Sequence, residues 1–255
     1  MDLPGSSKRW TVFDRLGDVS PWYFIIFWIG LNLVQAFFTD VHNDESYYWL
    51  YTKQLQWGYY DHPPMVAIWI KAGMALFPEE LGLRFFHVLS FGASLLIWLR
   101  WARREHHIYF YLLLFSAPFV NYLSFMVFPD GPLLFFFSAF AWAYLSYHQQ
   151  RSARYLIFMS LGLAGMLYSK YHGVLVFPLL LLAQRKAFGE LWPYLVAALA
   201  LFLYVPHLWW QYQNGFPSFQ FHLTGRATAF DWEDPMSFLL QQSLSVGPAL
   251  FMAFA

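Results

Sequence analysis

The stretch VSPWYFIIFWIGLNLVQAFFT (residues 19–39) decides the class of this protein, because it runs for 21 residues without a charged side chain. At about 1.5 Å per residue, a helix of that length crosses a hydrocarbon core of about 30 Å. The whole chain has the same character, with 59% hydrophobic and 12% charged residues, against about 25% charged residues in soluble domains. The sequence therefore predicts an all-α polytopic membrane protein.

The other apolar runs, read together with the basic residues between them, predict about eight transmembrane helices. These spans are 19–39, 83–101, 107–128, 133–148, two short spans within 155–184, 191–210, and one that starts at 236. Ten of the fifteen basic residues then fall on the side that carries the N-terminus: Lys8, Arg9, Arg15, Arg100, Arg103, Arg104, Arg151, Arg154, Arg185 and Lys186.

Basic residues collect on the cytoplasmic side of membrane proteins. Residues 1–18 are therefore predicted to be a cytoplasmic N-terminus, followed by a transmembrane domain over 19–255. Segments 40–82 and 211–235 are predicted external loops, the first carrying two surface helices. The apolar run at the end of the sequence predicts a chain that continues beyond residue 255.

Composition also excludes several classes of function. The formal net charge is zero, which removes any whole-chain argument for nucleic acid binding. The sequence has no cysteine, so disulfides, thiolate metal sites and a cysteine nucleophile are ruled out. It also has no Gly-rich phosphate loop, HExxH pair or GxSxG motif.

The first predicted external loop holds DESYYWLYTKQLQWGYYDHPP (residues 44–64), with two acidic clusters set among aromatic residues. Asp44 and Glu45 have the chemistry of a general base, a metal ligand or a sugar-hydroxyl acceptor. A structural role is equally open, with Asp44 as the N-cap of a helix and Glu45 in its first turn. Both roles are compatible.

Asp61 and His62 precede two prolines, which predict a helix starting at Pro64 that presents both side chains. His62 could meet a phosphate, act as a donor or bind a metal. The alternative is an ordinary turn that leads into a helix at the membrane interface.

Lys170 interrupts an apolar run near the predicted external face, where a cation is costly unless it is paired or functional. A phosphate is a natural partner, and Arg84 is a second candidate for the same role. Both side chains could instead reach the interface and serve no ligand. The four residues 129–132, Pro-Asp-Gly-Pro, predict a turn, and the polar residues of the last loop suit either an acceptor site or an interfacial belt.

Five motifs in this order resemble the polytopic glycosyltransferases of the dolichyl-phosphate-mannose protein mannosyltransferase superfamily (glycosyltransferase family 39), including its bacterial aminoarabinose-transferase branch. They are Asp44-Glu45 after the first span, GYYDHPP at 58–64, FPDGPLL at 128–134, YSKYHG at 168–173, and QNGFPSFQFHLTGR at 213–226 preceded by Pro206 and Trp210. The resemblance covers about residues 20–250.

The resemblance implies the C-type glycosyltransferase fold and transfer of one sugar from a polyprenyl-phosphate donor to a lipid or protein acceptor. The enzyme would lie in the plasma (bacterial inner) membrane, with its active site facing the periplasm or exterior. The catalytic acids would be Asp44, Glu45 and Asp61. The donor phosphate would be bound by His62, Lys170, Arg84 and Arg226. Sugar or acceptor contacts would come from Tyr59, Tyr60, Asp130, Tyr171, His172 and His222.

One departure from the family pattern stands at His62, where relatives often have lysine, so that position need not carry a fixed charge. No cofactor is required, although a divalent metal could bind Asp44, Glu45 and Asp61. The alternative function is a transporter or flippase for a lipid-linked glycan, which predicts ionisable residues near the middle of spans. The sugar and the acceptor cannot be predicted from these residues.

Overall fold

The computed structural model describes residues 20–225 and 233–246, and all regular secondary structure within these ranges is helical. Short 3₁₀ turns occupy Arg104–His106, Tyr171–Leu175 and Arg185–Gly189, and a π turn occupies Phe221–Gly225. The α-helices are α1 Pro21–Phe38, α2 Asn43–Tyr51, α3 Met65–Met74, α4 Glu79–Trp101, α5 His107–Ser116, α6 Pro118–Phe125, α7 Asp130–Gln150, α8 Ala153–Ser169, α9 Val176–Ala183, α10 Trp192–Gln213, α11 Pro217–Gln220 and α12 Glu233–Val246.

Among the described residues, three helices are long and apolar enough to cross a membrane: α1, α4 and α10. A fourth span is formed if α5 and α6, which meet at an angle of 79°, are counted together. The chain is therefore a helical membrane protein, but the predicted count of eight spans is not confirmed. The final predicted span lies partly outside the described residues.

Proline explains the clearest departure from the predicted spans. Residues 107–128 were predicted to form one span, yet α5 ends at Ser116 and α6 starts at Pro118. Proline has no backbone N–H and its ring collides with the preceding helical turn, so it starts a new helix instead of continuing the old one.

A second correction concerns residues 129–132, which were predicted to be a turn. The helix α7 already begins at Asp130 and includes Gly131 and Pro132 in its first turn. Proline is tolerated there because the first N–H groups of a helix have no partner within it. Gly131 packs directly against the ring of His87, where a Cβ atom would have no room. Asp130 is thereby fixed at the start of a helix.

The predicted break near Lys170 is confirmed. Helix α8 ends at Ser169, and Lys170 has an extended backbone before the next turn begins. Helix α8 packs closely against α7. Gly162 and Gly165 of α8 lie against Phe140 and Phe136 of α7, with no space for a Cβ atom at either glycine. Close packing of these two helices places Lys170 beside the start of α7.

A buried ion pair anchors the first loop. Arg84 and Glu45 are both fully buried, with Arg84 Nε 2.8 Å from Glu45 Oε1 and Nη2 2.5 Å from Oε2. Arg84 Nη1 also donates to the carbonyl oxygens of Ala36 and Thr39, each at 2.7 Å. Because Ala36 and Thr39 stand at the end of α1, the pair joins α1, α2 and α4.

Glu45 uses its remaining lone pairs on backbone donors. Its Oε1 accepts from the N–H of Val127 at 2.9 Å, and its Oε2 accepts from the N–H of His42 at 3.0 Å. Buried charges are tolerated when their partners are complete. The segment before α7 is thereby tied to the start of α2, and both carry residues of the site described next.

Candidate active site

A polar cavity of about 400 Å³ lies where α2, the 61–62 segment, the start of α7 and the break at Lys170 meet. Eight of the predicted site residues line it: Asp44, Asp61, His62, Asp130, Lys170, Tyr171, His172 and His222. Residues separated by as many as 178 positions in the sequence are therefore brought to one site (Asp44 to His222).

The start of α2 sets the position of Asp44, but not as an N-cap. The N-cap is His42, whose Nδ1 accepts from the N–H of Asp44 at 3.3 Å while Glu45 accepts from the N–H of His42. This reciprocal arrangement is a capping box. The prediction of Asp44 as N-cap was therefore wrong, because His42 satisfies the first helical donors and moves Asp44 into the first turn.

The carboxylate of Asp44 is open to the cavity. Its side chain is 60% exposed, and within the described part of the chain it comes within 4 Å of one basic side chain, His42, at 3.8 Å. Since Nδ1 of His42 accepts a hydrogen bond from the backbone, it carries no proton to offer this carboxylate. The lone pairs of Asp44 thus remain available to a ligand.

Asp61, in contrast, is held by three side chains. Tyr51 and Tyr47 donate to its Oδ1 at 2.5 and 3.0 Å, and Nδ1 of His62 lies 3.0 Å from Oδ2. Burial alone would raise the pKa of Asp61, but the interactions with His62, Tyr51 and Tyr47 outweigh burial and lower the pKa to about 2. Asp61 is therefore a fixed negative charge and a weak base.

Lys170 and Asp130 form an ion pair at the edge of the cavity. The ammonium nitrogen lies 2.7 and 2.9 Å from the two carboxylate oxygens, and the side chains are 29% and 45% exposed. An ammonium group has three N–H donors, so the pair leaves one for a further acceptor. This geometry positions a cation at the cavity and keeps it available to an anionic ligand.

A buried network on α10 orients Tyr171. His207 Nδ1 lies 2.6 Å from the carbonyl oxygen of Trp57, which only accepts, so Nδ1 donates and Nε2 accepts from the Tyr171 hydroxyl at 3.1 Å. Gln211 donates to the same hydroxyl at 2.8 Å and to Ser218 at 2.7 Å. Trp57 belongs to the first loop, so α10 holds that loop and Tyr171 together.

The other predicted site residues lie elsewhere. Glu45 and Arg84 are sealed in their own ion pair, away from the cavity wall. Tyr59 is buried and stacks on Tyr51, with ring centroids 3.9 Å apart, while Tyr60 is 60% exposed. Arg226 lies outside the described residues.

The aromatic side chains of α2 are the residues that the sequence prediction missed. Tyr47 and Tyr48 line the cavity, and Tyr51 holds Asp61. The signal was present in the spacing, because positions 44, 47 or 48, and 51 share one face of a helix.

A metal site formed by Asp44, Glu45 and Asp61 does not fit the geometry. Both carboxylate oxygens of Glu45 already accept hydrogen bonds from Arg84 and from backbone N–H groups. Across the described ranges, no group of three or more His, Asp or Glu side chains is arranged to hold a metal ion.

Two apolar grooves open onto the polar cavity. The larger, about 580 Å³, runs between the 171–175 turn and α10 and shares Tyr171, His172 and His222 with the cavity. The smaller, about 350 Å³, runs along α7 and shares Asp130 and His172. A polar pocket flanked by two apolar grooves suits amphipathic ligands that have a polar head and a hydrocarbon chain.

The helices and this site define a helical membrane protein with a polar cavity that adjoins two apolar grooves. Residues 61–210 match the sequence profile of the dolichyl-phosphate-mannose-protein mannosyltransferase family. The match covers more than half of the chain, so the protein belongs to this family, as the motifs predicted.

The chain is also similar to the lipid A galacturonosyltransferase RgtD of Rhizobium johnstonii. The two are 30% identical over 188 residues, which is 69% of this chain and 39% of that relative. The chain thus spans less than half the length of this relative. No solved structure matches the chain.

Proposed function

We propose that the protein transfers a single sugar from a polyprenyl-phosphate donor to a lipid acceptor, with Asp44 as the general base. Family membership supports a lipid-linked sugar donor, and the relative that is named for acting on lipid A supports a lipid A-like acceptor. The distribution of basic residues supports an active site on the external face of a bacterial inner membrane. The C-type fold, with about eight spans in residues 19–255, is part of this proposal.

One observation carries the assignment of Asp44. Of the four carboxylates of this region, three already have side-chain partners. Glu45 is paired with Arg84, Asp61 with two tyrosines and His62, and Asp130 with Lys170. Asp44 alone of the four is more than half exposed and lacks a donating partner within the described residues. A general base must be within reach of the substrate hydroxyl, and its lone pairs must be available.

The reaction follows from this arrangement. Asp44 takes the proton of the acceptor hydroxyl as the acceptor oxygen forms a bond to the anomeric carbon. The bond between that carbon and the phosphate oxygen breaks, and the lipid phosphate leaves with the bonding electrons. The ammonium of Lys170 stabilises the charge that develops on the leaving phosphate, and Asp130 holds that ammonium in place.

The two apolar grooves support lipid substrates on both sides of this reaction. Each groove shares His172 with the polar cavity, so two hydrocarbon chains can approach one reaction centre from different directions. The larger groove suits the prenyl chain of the donor, and the smaller suits a chain of the acceptor. A transporter would instead place ionisable groups near the middle of its spans, whereas these carboxylates gather at helix ends.

The test is Asp44→Asn in the full-length gene, returned to a strain that lacks the gene. We expect sugar transfer to fall by about 10²- to 10⁴-fold, the usual contribution of a general base, while the amount of protein in the membrane stays unchanged. Mass spectrometry of the envelope glycolipids measures the product and names the sugar.

Asp40→Asn is the matched control, because Asp40 is an exposed acid on the same loop but not part of the cavity wall. Its activity should equal that of the parent protein. Equal activity of both variants would remove the general-base role, and a phosphate acceptor or a transport role would then gain support. If deleting the gene removed no sugar from the envelope glycolipids, the transferase proposal itself would be contradicted.

A further inference from the structure

A second cavity, lined by both charged and apolar side chains, lies at the opposite end of α7 from the candidate active site. It has a volume of about 560 Å³ and forms where the end of α7 faces the end of α9 and the 185–189 turn. Its wall consists of His148, Arg151, Leu182, Ala183, Gln184, Arg185, Lys186, Ala187 and Glu190. The function proposed above uses none of these residues.

Helix α7 gives the separation of the two cavities. It starts at Asp130 in the candidate active site and ends at Gln150, next to Arg151 in the second cavity. A helix of 21 residues extends about 30 Å at about 1.5 Å per residue, which is the thickness of a hydrocarbon core. In the predicted topology, which counts residues 133–148 as a span, the second cavity lies at the opposite membrane surface from the candidate active site.

The charge of this cavity is strongly positive. Three basic side chains face one acid, and that acid is already paired, since Arg151 Nη1 donates to Glu190 Oε2 at 2.7 Å. Within the described residues, neither Arg185 nor Lys186 forms an ion pair with a carboxylate. Two unpaired cations beside a third that is held in place form a site for an anion with several acceptor oxygens.

Arg151 is held in an unusual backbone conformation. It follows α7 with φ 49° and ψ 32°, in the left-handed region that non-glycine residues rarely adopt. The ion pair with Glu190 and a contact over the Tyr147 ring, 5.2 Å from its centroid, keep its guanidinium at the cavity. A cation fixed in advance loses less conformational freedom when a ligand binds.

One wall of the cavity is apolar and continues along the helix. Leu182 lines the cavity, and Leu179 precedes it on α9, with exposures of 58% and 60% respectively. A spacing of three residues keeps these two side chains on one face of α9. The ligand that fits has an anionic group for the cations and a hydrocarbon chain for the two leucines.

We propose that this cavity, with Arg151, Arg185 and Lys186 at its mouth and leucines along one side, binds the phosphate group of an anionic membrane lipid. Basic pockets between membrane helices on the cytoplasmic side recognise such headgroups, and the positive-inside rule places this end of the helices there. The inference does not depend on the proposed sugar transfer.

The experiment measures lipid binding to the purified full-length protein by native mass spectrometry. The probes are phosphatidylglycerol, phosphatidylcholine, and water-soluble glycerol phosphate. We expect saturable binding of phosphatidylglycerol and weaker binding of the other two. The double variant Arg185→Gln/Lys186→Gln should bind phosphatidylglycerol about thirtyfold more weakly, which is the effect of removing two surface cations.

Two further variants make the test decisive. Arg103→Gln/Arg104→Gln removes two cations from the same predicted membrane side but outside this cavity, and its binding should match that of the parent protein. Glu190→Gln removes the one acid and releases Arg151 from its ion pair. The added unit of net positive charge should outweigh the lost orientation of Arg151, so binding should become up to about fivefold tighter, a gain that misfolding cannot produce.

Equal weakening of both double variants would overturn the proposal and reduce the effect to general surface attraction. Binding of glycerol phosphate as tight as that of phosphatidylglycerol would overturn the assignment to a lipid.

Discussion

Two ion pairs differ in how far their side chains are buried. Both consist of residues that the sequence analysis predicted for the site. Glu45–Arg84, the sealed pair, is fully buried on both sides. Asp130–Lys170, the open pair, is 45% and 29% exposed and forms part of the wall of the polar cavity. The difference separates a role in building the site from a role in contacting substrate.

The bonding around each pair explains its role. In the sealed pair, Arg84 donates to Glu45 and to three backbone carbonyl groups, and Glu45 accepts from two backbone N–H groups. Nothing remains for a ligand. In the open pair, within the part of the chain that the structure describes, Lys170 donates to a single carboxylate, which leaves its ammonium group able to bind a phosphate.

Breaking the sealed pair should have the largest effect. Arg84→Met leaves the Glu45 carboxylate buried without its partner, and such losses cost about 3–5 kcal/mol. We expect the free energy of unfolding to fall by that amount and sugar transfer to disappear with the fold. Thermal unfolding of the purified variant measures the loss.

The double variant Glu45→Gln/Arg84→Met is the control for this prediction. It removes both charges, so it should be more stable than Arg84→Met alone, because no unpaired buried charge remains. If the double variant lost as much stability, relative to the parent protein, as the two single variants together, the two residues would not act as a pair.

Breaking the open pair should reduce activity and spare the fold. Lys170→Gln removes the cation that faces the leaving phosphate, and such electrostatic contributions are worth about 10²- to 10³-fold in rate. The stability should change by less than about 1 kcal/mol, since pairs accessible to water contribute little. Assays of sugar transfer and thermal unfolding on one preparation measure both effects.

Asp130→Asn separates the two functions of the open pair. It leaves the Lys170 cation in place but loosens its position, so the loss of activity should be smaller than in Lys170→Gln. A loss of stability in Lys170→Gln as large as that in Arg84→Met would show that the two pairs do not differ in role.

The sequence predicted the helical class, the family, and most of the residues that line the cavity. It could do so because charged residues in a chain with 12% charge stand out against apolar runs, and because their order follows a family pattern. Lys170 illustrates this, since a single cation within an apolar run requires a partner or a function. The break in the helix at Lys170 was predicted because basic residues at both ends of the apolar run 155–184 require an even number of crossings between them.

The partners of these residues were not predictable. Glu45 and Arg84 are 39 residues apart in the sequence, and Lys170 and Asp130 are 40 residues apart. Nothing in the local sequence distinguishes the sealed pair from the open one, because burial depends on how α1, α2 and α4 meet. His42 as N-cap was missed for a related reason: histidine is not among the preferred capping residues, and its role depends on Glu45 three positions later.

The smallest predicted effect concerns Asp61. Its side chain is 13% exposed, so in burial it lies between the sealed pair and the open pair. Its pKa of about 2 is below the ordinary value of 3.8, so Asp61 stabilises the folded protein fully above about pH 4, and this contribution is lost as pH falls through about 2. Tyr51→Phe removes a hydrogen bond to the carboxylate, which should raise the pKa of Asp61 and lower the stability at pH 7 by about 1.5 kcal/mol. The difference from the parent protein should shrink between pH 4 and pH 2, as measured by denaturation at a series of pH values.

Tyr47→Phe is the comparison variant. It removes the longer, more exposed hydrogen bond to Asp61 and should give a smaller difference in stability over the same pH range. A Tyr51→Phe difference that stays constant down to pH 2 would show that the Tyr51 hydroxyl does not stabilise the charged form of Asp61, and Asp61 would then belong with the open pair.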